Sequence, residues 1–168
     1  MAMLHYVDDR PIVLTERGTW EQGGEPLHPK VSRLFDSHIV PVSEYGFEIR
    51  IGHQRQTIEV RDCGFFIRSI FLDRHSDGRL MAVRAQLSDG ALERLDPSTF
   101  EQGENGVFYA RVERHGFRTR CRFSSAQYHE LALEVVPVTG EVDSFQIEIA
   151  SSYWPFGQPA DVVNIAVV

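Results

Sequence analysis

Between Phe108 and Phe123 the residues alternate in a way that only a two-stranded antiparallel ribbon satisfies. Phe108, Ala110 and Val112 share one side before His115-Gly116, and Phe117, Thr119, Cys121 and Phe123 share one side after it. A period of two marks a strand with one buried face. With His115-Gly116 as a two-residue turn, Arg114 pairs with Phe117, Glu113 with Arg118, Arg111 with Arg120 and Tyr109 with Arg122. The face opposite the core then carries Tyr109, Arg111, Glu113, Arg118, Arg120 and Arg122. A slip of one residue would dissolve this set, because it exchanges the two faces of a strand.

The rest of the chain follows the same logic. Tyr45, Phe47, Ile49 and Ile51 alternate with polar neighbours, Gly52-His53-Gln54 reads as a turn, and Gln56 to Val60 resumes the alternation. Phe65 to Leu72 is more continuously apolar, as expected of a strand covered on both faces. Leu80 to Leu87 follows the Ser76-Asp77-Gly78 turn as its partner. Asp96-Pro97-Ser98 predicts a turn or one short helical turn, and Ser144 to Ile149 and Val162 to Val168 complete the strands. Two helices are expected. One runs from Ser125 to about Val135, with Ser124 and Gln127 as a capping box, Phe123 and Tyr128 as a hydrophobic staple, and Pro137 as the stop. The other starts near Pro29 and turns Val31, Leu34 and Phe35 to the core. Both helices follow a hairpin-like segment. The spacing therefore suggests two repeated hairpin-helix units, 10–42 and 106–137, within a single domain over 1–168. The fold class expected is α+β, mainly antiparallel β-sheet with two helices.

Composition narrows the function classes. A chain that is 42% apolar is too hydrophobic to stay disordered. Its net charge of −7 repels nucleic acid and acidic membranes. No apolar run approaches the roughly 20 residues of a membrane helix. Met1 to Asp9 has neither the basic nor the apolar region of a secretory signal, and two cysteines are few, so a cytoplasmic protein is expected. Phosphate-cradling glycine loops, nucleophile elbows and metal-ligand spacings are not evident, so no cofactor, metal or catalytic residue is assigned.

Two candidate sites remain. The first is the arginine face: Tyr109, Arg111, Arg118, Arg120 and Arg122. Arg111 opposite Arg120 is unfavourable unless an anion or a carboxylate lies between them. Such a face suits an anionic small molecule or an acidic protein surface. The plainer alternative is internal pairing, with acids of the Glu130–Glu134 helix or Glu148 lying over the arginines. The second candidate is His53, Arg55 and Asp62, with His53 brought to Asp62-Cys63 if the Gly52 turn folds back. A carboxylate beside Cys63 raises the thiol pKa, which opposes a nucleophilic role.

These residues also carry a resemblance. Gly52 to Asp62, Phe65-Phe66, Asp96-Pro97 and Glu104 to Tyr109 resemble uncharacterised protein family 0598, found in bacteria and mitochondria. Gly18-Thr19-Trp20 with Gly23, Arg33-Leu34-Phe35 and the Asp62 region are similar to the bacterial domain of unknown function 1285. That resemblance implies a β-rich fold with an internal repeat and a signalling role. The chain departs from the pattern at Cys63 and at Gly64, where a proline follows the aspartate. The function expected is a non-enzymatic ligand- or protein-binding module with a regulatory role. Two other readings stand beside it: a small enzyme acting on an anionic metabolite through His53 and Asp62, and a structural homo-oligomer, a homodimer for instance, joined by the aromatic Tyr153-Trp154-Pro155-Phe156-Gly157 tail.

Overall fold

The computed structural model describes residues 9–157. The expected strand at Val162 to Val168 lies outside them. The first half of the chain contains β1 (Ile12–Leu14), β2 (Trp20–Gln22), β3 (Glu25–Pro26), α1 (Pro29–His38), β4 (Ile39–Pro41), β5 (Phe47–Ile51) and β6 (Gln54–Val60). Its six strands form one sheet in the order β3-β2-β1-β6-β5-β4. The second half contains β7 (Phe65–Arg74), β8 (Leu80–Leu87), β9 (Leu92–Arg94), a 3-10 turn at Pro97–Thr99, β10 (Glu101–Gln102), β11 (Phe108–Arg114) and β12 (Phe117–Arg122). These strands form a second sheet in the order β10-β11-β12-β7-β8-β9. Then come α2 (Ser125–Ala132) and a three-stranded sheet of β13 (Val135–Pro137), β14 (Phe145–Ile149) and β15 (Ser152–Phe156). The fold is α+β and mostly antiparallel, with two helices. No helix among the described residues is long and apolar enough to cross a membrane.

The two larger sheets share one topology. In each, a three-stranded meander is followed by a second whose last strand lies parallel to the first strand of the first meander. Leu14 of β1 stands opposite Val60 of β6, and Phe65 of β7 opposite Cys121 of β12. The correspondence relates 12–60 to 65–122. It does not superpose 10–42 on 106–137: the first stretch opens one sheet, the second closes the other, and β11–β12 corresponds to β5–β6. A similar distance from turn glycine to helix is a local signal, blind to which strands pair across the sheet.

The β11–β12 register is the one the alternation dictates, with Arg111 opposite Arg120 and Tyr109 opposite Arg122. His115 and Gly116 adopt φ of 50° and 79°, as a tight hairpin turn of right-twisting strands requires. The start of β7 is buried on both faces: Phe65 packs against Phe47 of the first half, and the Phe66 ring on the other face lies against Gly18 of the β1–β2 turn. The capping box at Ser124 and Gln127 forms. Phe123 and Tyr128 both pack on Phe108, with ring centroids 5.1 and 5.5 Å away. The helix stops at Ala132, earlier than expected. Val135 leaves it to pair with Ile147, because the β-branched Val135-Val136 pair joins a sheet more readily than it extends a short helix. The aromatic tail segment becomes β15. Phe156 is buried with its ring 4.5 Å from that of Phe108.

One apolar core runs through all three sheets. Trp20 meets Phe35 of α1 edge-on at 5.3 Å, and Phe47 of the first half meets Phe65 of the second at 6.5 Å. The link between halves is only Arg61-Asp62-Cys63-Gly64. It passes so close to the core that a Cβ on Gly64 would lie 2.4 Å from Phe47 Cε1.

Candidate functional site: an arginine-lined cavity at the junction of the halves

Tyr109 stands on the arginine face opposite Arg122, but unlike its exposed or half-buried neighbours there it is buried and belongs to the core. Its hydroxyl donates to the Asp62 carboxylate, 2.9 Å from both oxygens. Arg122 donates to the same carboxylate through Nη1 at 2.7 Å. The junction segment therefore delivers one acid, Asp62, into a row formed by β11 and β12. Burial pushes the Tyr109 phenol above its ordinary pKa, Asn105 pulls it down, and the Asp62 carboxylate pushes it up further. The hydroxyl stays protonated, and therefore a donor, throughout the physiological range. Arg120 lies over the Tyr109 ring, 4.9 Å from its centroid, a favourable cation–π geometry.

The opposed arginines are reconciled by Glu101. It pairs with Tyr109 across β10–β11, so it projects on the same face. One of its oxygens contacts Arg120, and the other lies 3.5 Å from Arg111 Nη2. A single buried carboxylate thus serves two guanidiniums. Among the described residues, Arg118 pairs with a half-exposed Asp96 at 3.6 Å. The compensating acids are thus Glu101, Asp96 and Asp62, not the α2 acids or Glu148 that the spacing brought to mind; Glu134 of that region pairs with Arg74 instead.

Arg111, Arg118 and Arg120 face a cavity of about 310 Å³ that Tyr45, Arg61 and Asp62 also line. Among the described residues, Arg61 pairs with an exposed acid, Glu59, at 3.7 Å. Tyr45 is 84% exposed at the rim. Its hydroxyl bonds to the neighbouring Glu44, which holds its pKa above the usual value. Four guanidiniums surround one hollow against two lining carboxylates, Glu44 and Asp62, the second already engaged by Arg122, so arginines outnumber acids there in a chain whose net charge is −7. Arg122 turns away to a second hollow.

The other candidate residues are not assembled into one site. His53 sits at the tip of the β5–β6 hairpin and Asp62 beyond the far end of β6. The seven residues of β6 between them span about 23 Å. Arg55 is largely exposed and nearest Glu48, at 4.0 Å. The Gly52 turn does not fold back. Cys63 and Cys121 are buried and unbridged. Burial pushes both thiols up, Cys121 to about 12, and Asp62 adds to the rise at Cys63. Arg61, Tyr45 and Glu101 were not singled out from sequence. Glu101 was legible in principle: a hairpin turn at Asn105-Gly106 sets Gln102 against Phe108 and hence Glu101 against Tyr109. Tyr45 and Arg61 come from the other half, and no periodicity announces that meeting.

No family model and no curated protein matches the chain. Solved structures do. A DUF1285 family protein from Silicibacter pomeroyi DSS-3 aligns with a TM-score of 0.67 at 18% identity, over 92% of this chain and 83% of that one. A DUF1285 family protein from Shewanella baltica OS155 aligns with a TM-score of 0.57 at 16% identity, over 75% of this chain and 93% of that one. These findings bear out the resemblance to domain of unknown function 1285 at the level of architecture, and bring nothing to that with family 0598. The chain has the fold of DUF1285 family proteins.

Proposed function

We propose that the protein is a non-enzymatic binding module, regulatory in role, whose arginine cavity receives a small anion or an acidic group of a partner. The observation that carries this reading is the sharing of Glu101. Two directly opposed arginines have one carboxylate between them, while Arg118 and Arg61 flank the same hollow with only distant acids. An incoming anion meets oriented guanidiniums already held by the sheet and gives up little ordering entropy. The enzyme reading relied on His53 acting with Asp62, and that pair stands a full strand apart.

Thermal unfolding with inorganic pyrophosphate, and separately with citrate, tests the reading. Ligand at one hundred times its dissociation constant adds about 2.7 kcal/mol of stability. The shift should shrink strongly with added salt and vanish in Arg118→Ala/Arg120→Ala. A shift that persists in that variant, or none with either anion, would remove this cavity as the site.

A further inference from the structure

A hollow of about 560 Å³ lies where α2 leaves the second sheet. It is lined by the β1–β2 turn (Glu16, Arg17), by β7 (Phe66 to Arg68), by the Asn105–Phe108 turn, and by Arg122 to Ser125 with Tyr128 and His129. One of its sides holds the same place in the topology as one side of the first cavity, while the element that closes it differs. There, the segments before β5 and after β6 face strands of the opposite half. Here, the segments before β11 and after β12 face the β1–β2 turn of the opposite half. The chemistry differs. The first cavity is mainly polar, whereas this one has Phe66, Val107, Phe108, Phe123 and Tyr128 in its wall. Its rim carries Arg17, Arg68 and Arg122 against one acid, Glu16. Arg17 makes no side-chain ion pair among the described residues, and Arg68 reaches Asp36 only at 3.7 Å. Arg122 is held by Asp62 at 2.7 Å, so it is fixed in place.

We propose that this hollow is a second ligand site, for a phosphate monoester carried on an apolar or aromatic body. Cations supplied by three separate elements suit a dianion with three oxygens. A planar carboxylate would be satisfied by one bidentate guanidinium. The aromatic wall takes the body of the ligand, in the manner of pockets that combine apolar area with a few polar anchors. The proposal does not depend on the first cavity, since the two arginine sets share no member.

The test is isothermal titration of phenyl phosphate, with inorganic phosphate as the bodiless probe. The wild-type protein should bind phenyl phosphate more tightly than phosphate. In an Arg118→Ala/Arg120→Ala background, which strips the first cavity of two of its arginines, Arg17→Ala/Arg68→Ala should weaken phenyl phosphate about tenfold or more. Arg17→Lys/Arg68→Lys should recover part of the affinity, and its unfolding midpoint guards against a folding defect. Equal affinity for the two probes would overturn the aromatic wall as part of the site. Phenyl phosphate binding that survives Arg17→Ala/Arg68→Ala in that background, or fails in the wild type, would overturn the site itself.

Discussion

Asp62 is the residue on which most of the junction turns. It accepts from a buried phenol and from a guanidinium, and it arrives on a four-residue link between sheets. Tyr109→Phe removes a hydrogen bond to a charged group and should destabilise by about 1.5–3 kcal/mol in urea unfolding. Asp62→Ala should cost more, about 3–5 kcal/mol, since it strands both the hydroxyl and Arg122. The double variant should lose less than the sum of the two, because both changes break the same bond. Equality with the sum would show that Tyr109 and Asp62 act independently. Asp36 behaves in the opposite sense. Burial holds its carboxyl above the ordinary range, against the pull of the Trp20 indole N–H and of Arg68. As pH rises the unfolded chain releases this proton first, so stability falls from the ordinary carboxylate pKa up to the raised one and stays lost above it. Asp36→Asn retains an acceptor for Trp20, which donates at 2.8 Å. The melting temperature of Asp36→Asn relative to wild type should therefore be lowest below about pH 4 and rise toward neutrality. A difference that does not change with pH would contradict this. At this scale, Tyr109 and the arginines were legible because strand alternation assigns faces. Of their partners, Glu101 was not singled out, and Asp62 was grouped with His53 and Arg55 rather than with Tyr109, because which acid meets the β11–β12 face depends on the neighbouring strand β10 and on the course of the link between the sheets.

At the scale of elements, the hairpin turn and the α2 cap make separable contributions. His115 occupies the left-handed region that asparagine tolerates better. His115→Asn should raise the unfolding midpoint by a few tenths of a kcal/mol with no change in denaturant slope. A lower midpoint would mean that the imidazole contributes something the turn geometry does not show. Ser124→Ala should cost about 1 kcal/mol through the lost cap. The start of α2 was plain from Ser124 and Gln127, whereas its end was not. The β-branched Val135-Val136 pair only leans toward a strand, and the decision is made by Ile147 of β14, twelve residues downstream of Val135.

For the molecule as a whole, the continuous core predicts that the two related halves unfold together. Phe47 against Phe65, and Gly64 wedged against Phe47, bind them through apolar contact. Calorimetry should show one transition with equal calorimetric and van't Hoff enthalpies. Two resolved transitions would show that each sheet is stable alone. Gly64→Ala should lower the midpoint of that single transition, by about 1–3 kcal/mol for an overpacked site. The strand content and the α+β class could be read from alternation and turn dipeptides. The shared topology could not, because it rests on the parallel pairs β1–β6 and β7–β12, which join residues about fifty positions apart. Those pairs also govern how the protein is made. A first strand that waits for the last strand of its own sheet has no hydrogen-bonding neighbour on that side while the ribosome adds some forty-five further residues. Loop closure of that length precedes the reward of pairing, so the chain belongs among slow folders, and the exposed edge of β1 is where a nascent molecule is most open to capture by a neighbour.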